Sequence, residues 1–166
     1  MNNSQVFDEE GFEIATLEYT PDLAIMRARQ DIGWNDVVTD DNFPRRSFEQ
    51  GSGEVQSKLH APGRQIRLVE VVLELDDMDT SGMTIREGVA WALTHSVDDY
   101  PVDVKIQLLG SARQHSDERL DVPFLCRFEG EWYLSCDWFY YYDQWDANTK
   151  FLAVRRKFRR RKSLEE

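Results

Sequence analysis

Asp77, Asp79 and Ser81 place three side-chain oxygens at alternate positions, with Gly82 directly after them. Oxygen donors at this spacing, ahead of a glycine that permits a sharp turn, are what a loop needs to hold a hard divalent cation. The competing reading is an acidic turn leading into a helix, because Thr84 and Glu87 form a capping-box pair. A second concentration of chemistry is aromatic. Trp138, Phe139, Tyr140, Tyr141 and Tyr142 run consecutively, Trp145 follows, and Asp137, Asp143 and Asp146 interleave with them. A third is basic: seven of the eight residues 155–162 are Lys or Arg.

The acidic segment resembles the opening of an EF-hand calcium loop over about a dozen residues. The resemblance implies Asp77, Asp79 and Ser81 as ligands of a weakly held divalent cation. The closing ligand departs from the pattern: Gly88 stands at the twelfth position, and Glu87 falls one residue early, where the helix cap uses it. The same aspartates are similar to the first motif of the haloacid-dehalogenase-type phosphatases, an apolar strand followed by two aspartates one residue apart. That resemblance implies Asp77 as nucleophile and Asp79 as acid/base. The family is built on a parallel sheet and has Thr where this chain has Ser81, whereas the hairpin expected after residue 120 is antiparallel.

Alternation along a strand buries only half of the aromatic run, so its other half is available to an interface. Trp138, Phe139, Tyr141, Tyr142 and Trp145, with Asp143 and Asp146, form the candidate partner-binding set. The acidic neighbours oppose nucleic acid there. The alternative is that the run curls around the sheet edge and packs beneath a loop.

Charge is divided unevenly along the chain. Residues 1–154 carry 13 basic against 29 acidic side chains, a net −16, while the whole chain stands at −11. Such asymmetry speaks to partners more than to fold. The acidic body repels nucleic acid and anionic membranes, and its carboxylates could imitate phosphates in a basic groove. Lys157, Arg159, Arg160, Arg161 and Lys162 could grip phosphates in a salt-dependent way, or pair with the chain's own acids.

His60 and His115 fall in expected loops, and His95 near a helix end. None stands in a metal-ligand or nucleophile-elbow spacing. The two cysteines, Cys126 and Cys136, are too few for a disulfide framework or a four-ligand zinc site. No stretch approaches the roughly 18 apolar residues of a membrane span, and the polar N-terminus does not read as a signal peptide. A cytoplasmic protein without a membrane partner is expected.

These residues must be positioned by a small set of elements. Residues 1–10 read as frayed, 11–156 as one α+β domain, and 157–166 as a basic tail. A strand is expected over residues 11–19. Thr20, Pro21 and Asp22 then start a helix or turn a hairpin. Residues 33–64 show no sustained period and read as a long irregular loop. Residues 65–75 read as a strand, on the aliphatic and β-branched Ile66, Leu68, Val71 and Val72. The capping box starts a helix ending near Val97, with Ile85, Val89, Ala92, Leu93 and Ser96 on one face. Residues 102–109 resume as a strand.

Alternation predicts two strands over residues 122–138, joined by a three-residue loop Phe128-Glu129-Gly130. That loop sets Cys126 opposite Trp132, Phe124 opposite Leu134 and Cys136 opposite Val122. Both thiols then lie on the buried face, too far apart to bond. A last strand covers residues 150–154. The fold class expected is α+β: a single curved antiparallel sheet of about five or six strands, with one or two helices packed on one face.

The function expected is that of a non-enzymatic accessory or regulatory protein. It would bind a basic protein partner through acidic, aromatic-rich surface. A nucleic-acid-associated protein using the tail and a small α+β enzyme with a pocket between sheet and helix are the alternatives. No cofactor is expected beyond the weak divalent cation.

Overall fold

The computed structural model describes residues 5–116 and 118–157. In chain order the elements are β1 (Val6–Phe7), β2 (Glu13–Glu18), α1 (Leu23–Ala28), β3 (Gly33–Trp34), β4 (Ser52–His60), β5 (Ile66–Arg67), α2 (Leu68–Asp77) and β6 (Ser81–Gly82). They continue with α3 (Ile85–Leu93), β7 (Ile106–Gln107), β8 (Arg113–Gln114), β9 (Arg119–Phe128), β10 (Glu131–Tyr140), β11 (Gln144–Trp145) and β12 (Lys150–Lys157).

Among the described residues, ten strands form one sheet with the order β1-β2-β4-β12-β7-β9-β10-β3, to which β6 adds on β12 and β8 on β9. β12 runs parallel to β7 and β10 parallel to β3, so the sheet is mixed. β5 and β11 make a separate two-stranded sheet. The expected single antiparallel sheet of five or six strands is therefore overturned. Much of the excess consists of two-residue bridges such as β3, β6 and β7, too short for a hydrophobic period to show.

Two longer elements also differ from expectation. Residues 65–75 are not one strand: only Ile66 and Arg67 are extended, and α2 follows. Leu68, Val71, Leu75 and Met78 recur at helical spacing and pack into one cluster, while Val69, Val72 and Leu73 face outward. The Glu70 carboxylate accepts the Arg67 backbone N–H at 3.0 Å and fixes the helix start. That bond first, and Arg64 second, hold its pKa below the ordinary carboxylate range. Packing of the stripe outweighs the β propensity of three valines. Within residues 33–64 lies the nine-residue β4, paired on both sides by β2 and β12. Its Gly53, Gln56 and Ser57 are buried although none is apolar, which hid it from a hydrophobic reading.

α1 begins after Asp22, and Asp40, from a distant loop, accepts the Leu23 and Ala24 N–H groups at 2.9 and 3.2 Å. Thr20, the expected cap, bonds Glu18 instead. At α3 the expected box is present: Thr84 accepts from the Glu87 N–H at 3.3 Å, and Glu87 from the Thr84 N–H at 2.9 Å. The helix stops at Leu93, short of Val97, and Leu93 itself is exposed.

β12 divides the core. Phe151 and Ala153 point into a cluster with Ile66, Val71, Leu75, Val122 and Trp145. Leu152 and Val154 point the other way, to a larger cluster with Ile85, Val89, Ile106, Leu125 and Leu134. α3 covers one face and α2 the other, so the helices do not share a face as expected. No described helix is long and apolar enough to cross a membrane.

Candidate functional site

The aromatic segment is positioned by the β9–β10 hairpin, and the hairpin by its turn. Glu129 and Gly130 both have positive φ, 51° and 78°. Two consecutive left-handed residues make a two-residue turn, not the three-residue loop expected. Phe128 consequently pairs with Glu131, Cys126 with Tyr133, Leu125 with Leu134 and Cys136 with Pro123. The register shifts by one residue, which sends Cys126 and Cys136 to opposite faces of the sheet. Both thiols are free and half-buried.

In this register Trp138 and Tyr140 emerge on one face where β10 runs past the core, and Tyr141 and Tyr142 follow in the turn. Trp138 is 53% exposed, Tyr140 38%, Tyr141 53% and Tyr142 51%. The rings contact one another in series: Trp138 edge-on to Tyr140 at 5.3 Å, Tyr140 stacked on Tyr142 at 5.3 Å, and Tyr141 edge-on to Tyr142 at 5.5 Å. The Arg119 guanidinium sits 5.0 Å from the Trp138 ring centre. The Asp143 carboxylate accepts the Tyr140 N–H at 2.9 Å, and the Glu118 carbonyl accepts the Tyr141 N–H at 2.9 Å. These bonds fix the turn. Desolvation first, then the Glu118 carboxylate, raises the Tyr142 pKa, so its phenol remains a hydrogen-bond donor.

The rest of the candidate set divides. Asp146 is exposed and lines a pocket with Gln107, Asp137 and Phe139, away from the ring series. Phe139 is half-buried and packs on Trp145 at 5.0 Å, and Trp145 packs edge-on to Phe151 at 5.2 Å. Trp145 is buried because β11 pairs it with Ile66, so it belongs to the core and not to the outer surface.

Beside the exposed rings lies a cavity of about 370 Å³ whose lining includes Arg113, His115, Arg119, Asp121, Cys136 and Trp138. His115 Nδ1 stands 3.3 Å from Asp121, and Arg119 3.4 Å from the same carboxylate. Burial, then the charges of Asp121 and Asp137, push the Cys136 thiol up to about 12. At neutral pH it supplies no thiolate. The groups suit binding better than nucleophilic attack. No spacing signal in the sequence joined His115 to Asp121; the β8–β9 pairing does.

His95 is committed elsewhere. Its Nδ1 meets the Trp91 carbonyl at 2.6 Å, its Nε2 meets Glu13 at 2.8 Å, and its ring stacks on Trp91. This ties β2 to the end of α3. His60 lies 3.6 Å from Glu74.

The cation loop takes a different form from the one its spacing suggested. Asp77 ends α2, and Asp79 has a left-handed backbone with φ 56°. The Met78 and Asp79 carbonyls accept from Arg155 at 2.7 and 3.1 Å, and the Ser81 hydroxyl accepts from Arg156 at 2.8 Å. Of the three expected ligand side chains, Ser81 is thus engaged by Arg156. Among the described residues no group of three or more His, Cys, Asp or Glu side chains could hold a metal ion. The phosphatase resemblance also loses its strand, since Asp77 ends a helix.

Of the basic segment, Arg155 and Arg156 are bound internally, to Glu10 and Glu87 as well as to the loop. Lys157 is the last residue of β12. Arg159, Arg160, Arg161 and Lys162 lie outside the described residues. Comparison with protein families, with curated proteins and with solved structures finds no match to this chain.

Proposed function

We propose that this chain is a non-enzymatic accessory protein that binds a basic protein partner. Trp138, Tyr140, Tyr141 and Tyr142 serve as anchors, and Glu118 and Asp143 as the charged surround. The observation that carries this reading is the connected series of four exposed rings on a turn already fixed by hydrogen bonds. Tyr and Trp present large contact area with few rotatable bonds, and they dominate the energetics of interfaces. Chain segment 1–154, at a net −16, supplies the complementary charge and steers a basic partner toward the surface.

The alternative, nucleic acid held by the tail, retains only residues 157–162, since Arg155 and Arg156 already have acidic and carbonyl partners. The test is capture from native lysate at low and high salt, followed by cross-link mapping. The proposal expects a basic protein, recovered less as salt rises, with cross-links at residues 138–146. Cross-links confined to other surfaces, or recovery of nucleic acid alone, would overturn it.

A further inference from the structure

Strand β10 is paired along its whole length on one edge only. The two-residue turn makes Phe128 and Glu131 a bonded pair, so Glu131, Tyr133, Ser135, Asp137 and Phe139 turn their N–H and C=O groups toward β9. The even-numbered residues turn theirs to the other edge. Bonds on that edge agree with this phase. The Leu134 carbonyl accepts the Asn35 N–H at 2.9 Å, the Tyr140 N–H donates to the Asp143 carboxylate at 2.9 Å, and the Tyr140 carbonyl accepts the Asp143 N–H at 2.9 Å. Pro123, which has no N–H, stands opposite Cys136, where β10 asks for none.

On the outer edge β3 pairs only with Tyr133 and Leu134. The next bond of that ladder would join the Asn35 carbonyl to the Cys136 N–H. That carbonyl accepts the Val38 N–H at 3.0 Å instead, and the chain turns away. Among the described residues, the N–H and C=O groups of Cys136 and Trp138 are therefore left without a partner, between the end of β3 and the Asp143 turn. Four groups that alternate donor and acceptor with the period of a strand are met in full by another extended peptide.

There is room beside this edge. The cavity of about 370 Å³ has Val37 and Phe43 in its lining on one side and Cys136 and Trp138 on the other. Its charged members have partners inside the protein: His115 and Arg119 with Asp121, Arg113 with the Asn42 carbonyl, and Asp137 with Lys105. The apolar wall is left to receive a side chain of the added strand. Asp41 is exposed on the loop that carries Val37 and Phe43, and Glu118 is exposed where its carbonyl meets Tyr141, so the flanks of the edge suit Lys or Arg.

We infer that an extended segment of the basic partner adds to β10 as a strand at residues 136–138, continuing the sheet past β3. The inference rests on the protein-binding function proposed above and names how the partner is held. The test is backbone N–H exchange of the full chain, read residue by residue by ¹H–¹⁵N spectroscopy. In the free chain the Cys136 and Trp138 N–H groups should exchange about tenfold or more faster than those of Asp137 and Phe139. The probes are heptapeptides that alternate Lys with Val, Leu or Phe, the same peptides N-methylated at every residue, and a set with Glu in place of Lys. At least one Lys peptide should slow exchange at Cys136 and Trp138 about tenfold or more, while its N-methylated form and its Glu counterpart do not. Slow exchange at both positions in the free chain, failure of every Lys peptide, or equal protection by an N-methylated or Glu peptide would each overturn the inference. So would protection that grows with chain concentration, which assigns the edge to a second copy. Capture of a basic protein that cross-links at residues 138–146 but leaves both N–H groups unprotected overturns the strand addition alone. Protection by Lys peptides with no basic protein captured supports the edge and counts only against the proposed function.

Discussion

The Glu87 carboxylate and the Arg156 guanidinium form a two-pronged buried pair, Nε to Oε2 at 2.7 Å and Nη2 to Oε1 at 2.8 Å. The Glu87 side chain is 0% exposed. Tyr19 donates to the same Oε2 at 2.6 Å, and the Thr84 N–H to Oε1 at 2.9 Å. One carboxylate therefore caps α3, holds β12 against it and receives the chain leaving β2. Burial, then the charge of Glu87, raises the Tyr19 pKa, so the phenol stays a donor across the working pH range.

Removing either charge leaves the other buried without its partner. Glu87→Ala and Arg156→Ala should each cost about 3–5 kcal/mol. Urea unfolding should show a lower midpoint with an unchanged slope. A loss below about 1 kcal/mol, the range of an exposed pair, would show that the pair is not buried in solution.

The turn sets the register of the hairpin, and its weak point is Glu129, a non-glycine residue at φ 51°. Left-handed backbone costs most side chains about 1–2 kcal/mol, while Asn tolerates it. Glu129→Asn should raise stability by roughly 0.5–1 kcal/mol, and Gly130→Ala should lower it by about 1 kcal/mol. Thermal denaturation reads both. A loss of stability from Glu129→Asn would point to the three-residue loop and its shifted register, in which Gly130 alone is left-handed.

The thiols give a third check. Burial raises both pKa values, that of Cys136 to about 12. A raised pKa means less thiolate at a given pH, so alkylation of the folded chain should be slow near pH 8 and accelerate as pH climbs. Two thiols should titrate after denaturation, because the cysteines face opposite sides of the sheet. A disulfide between them, or fast alkylation of Cys136 at neutral pH, would contradict this geometry.

What the sequence disclosed was local. The Thr84 and Glu87 cap is complete within four residues, and the alternation on either side of residue 130 is strong enough to name both hairpin strands. Its register rested on a single left-handed residue, Glu129, which composition does not mark. α2 was hidden because its aliphatic residues fit a buried strand and a helical stripe equally well. β4 was hidden because three of its four buried positions, Gly53, Gln56 and Ser57, are not apolar, and Val55 alone gives no period. That part of the aromatic run stays outside was legible, since a run of aromatics cannot all enter one face, but which part was not: Tyr140 is exposed and Phe139 half-buried. Trp145 was not, because its burial depends on pairing with Ile66, 79 positions away. Gln107 carries no signal in sequence; only the closure of β7 between β9 and β12 shows that its amide is enclosed.

The exposed ring series bears the central claim. The most direct measurement is calorimetric titration of the captured basic partner against the wild-type chain and against Trp138→Ala, Tyr141→Ala and Tyr142→Ala. These side chains are more than half exposed, so each variant should retain the wild-type melting temperature. The account predicts that at least one substitution weakens binding by about 2 kcal/mol or more, and that wild-type affinity falls as salt rises. Wild-type affinity in all three folded variants, unaffected by salt, would contradict it.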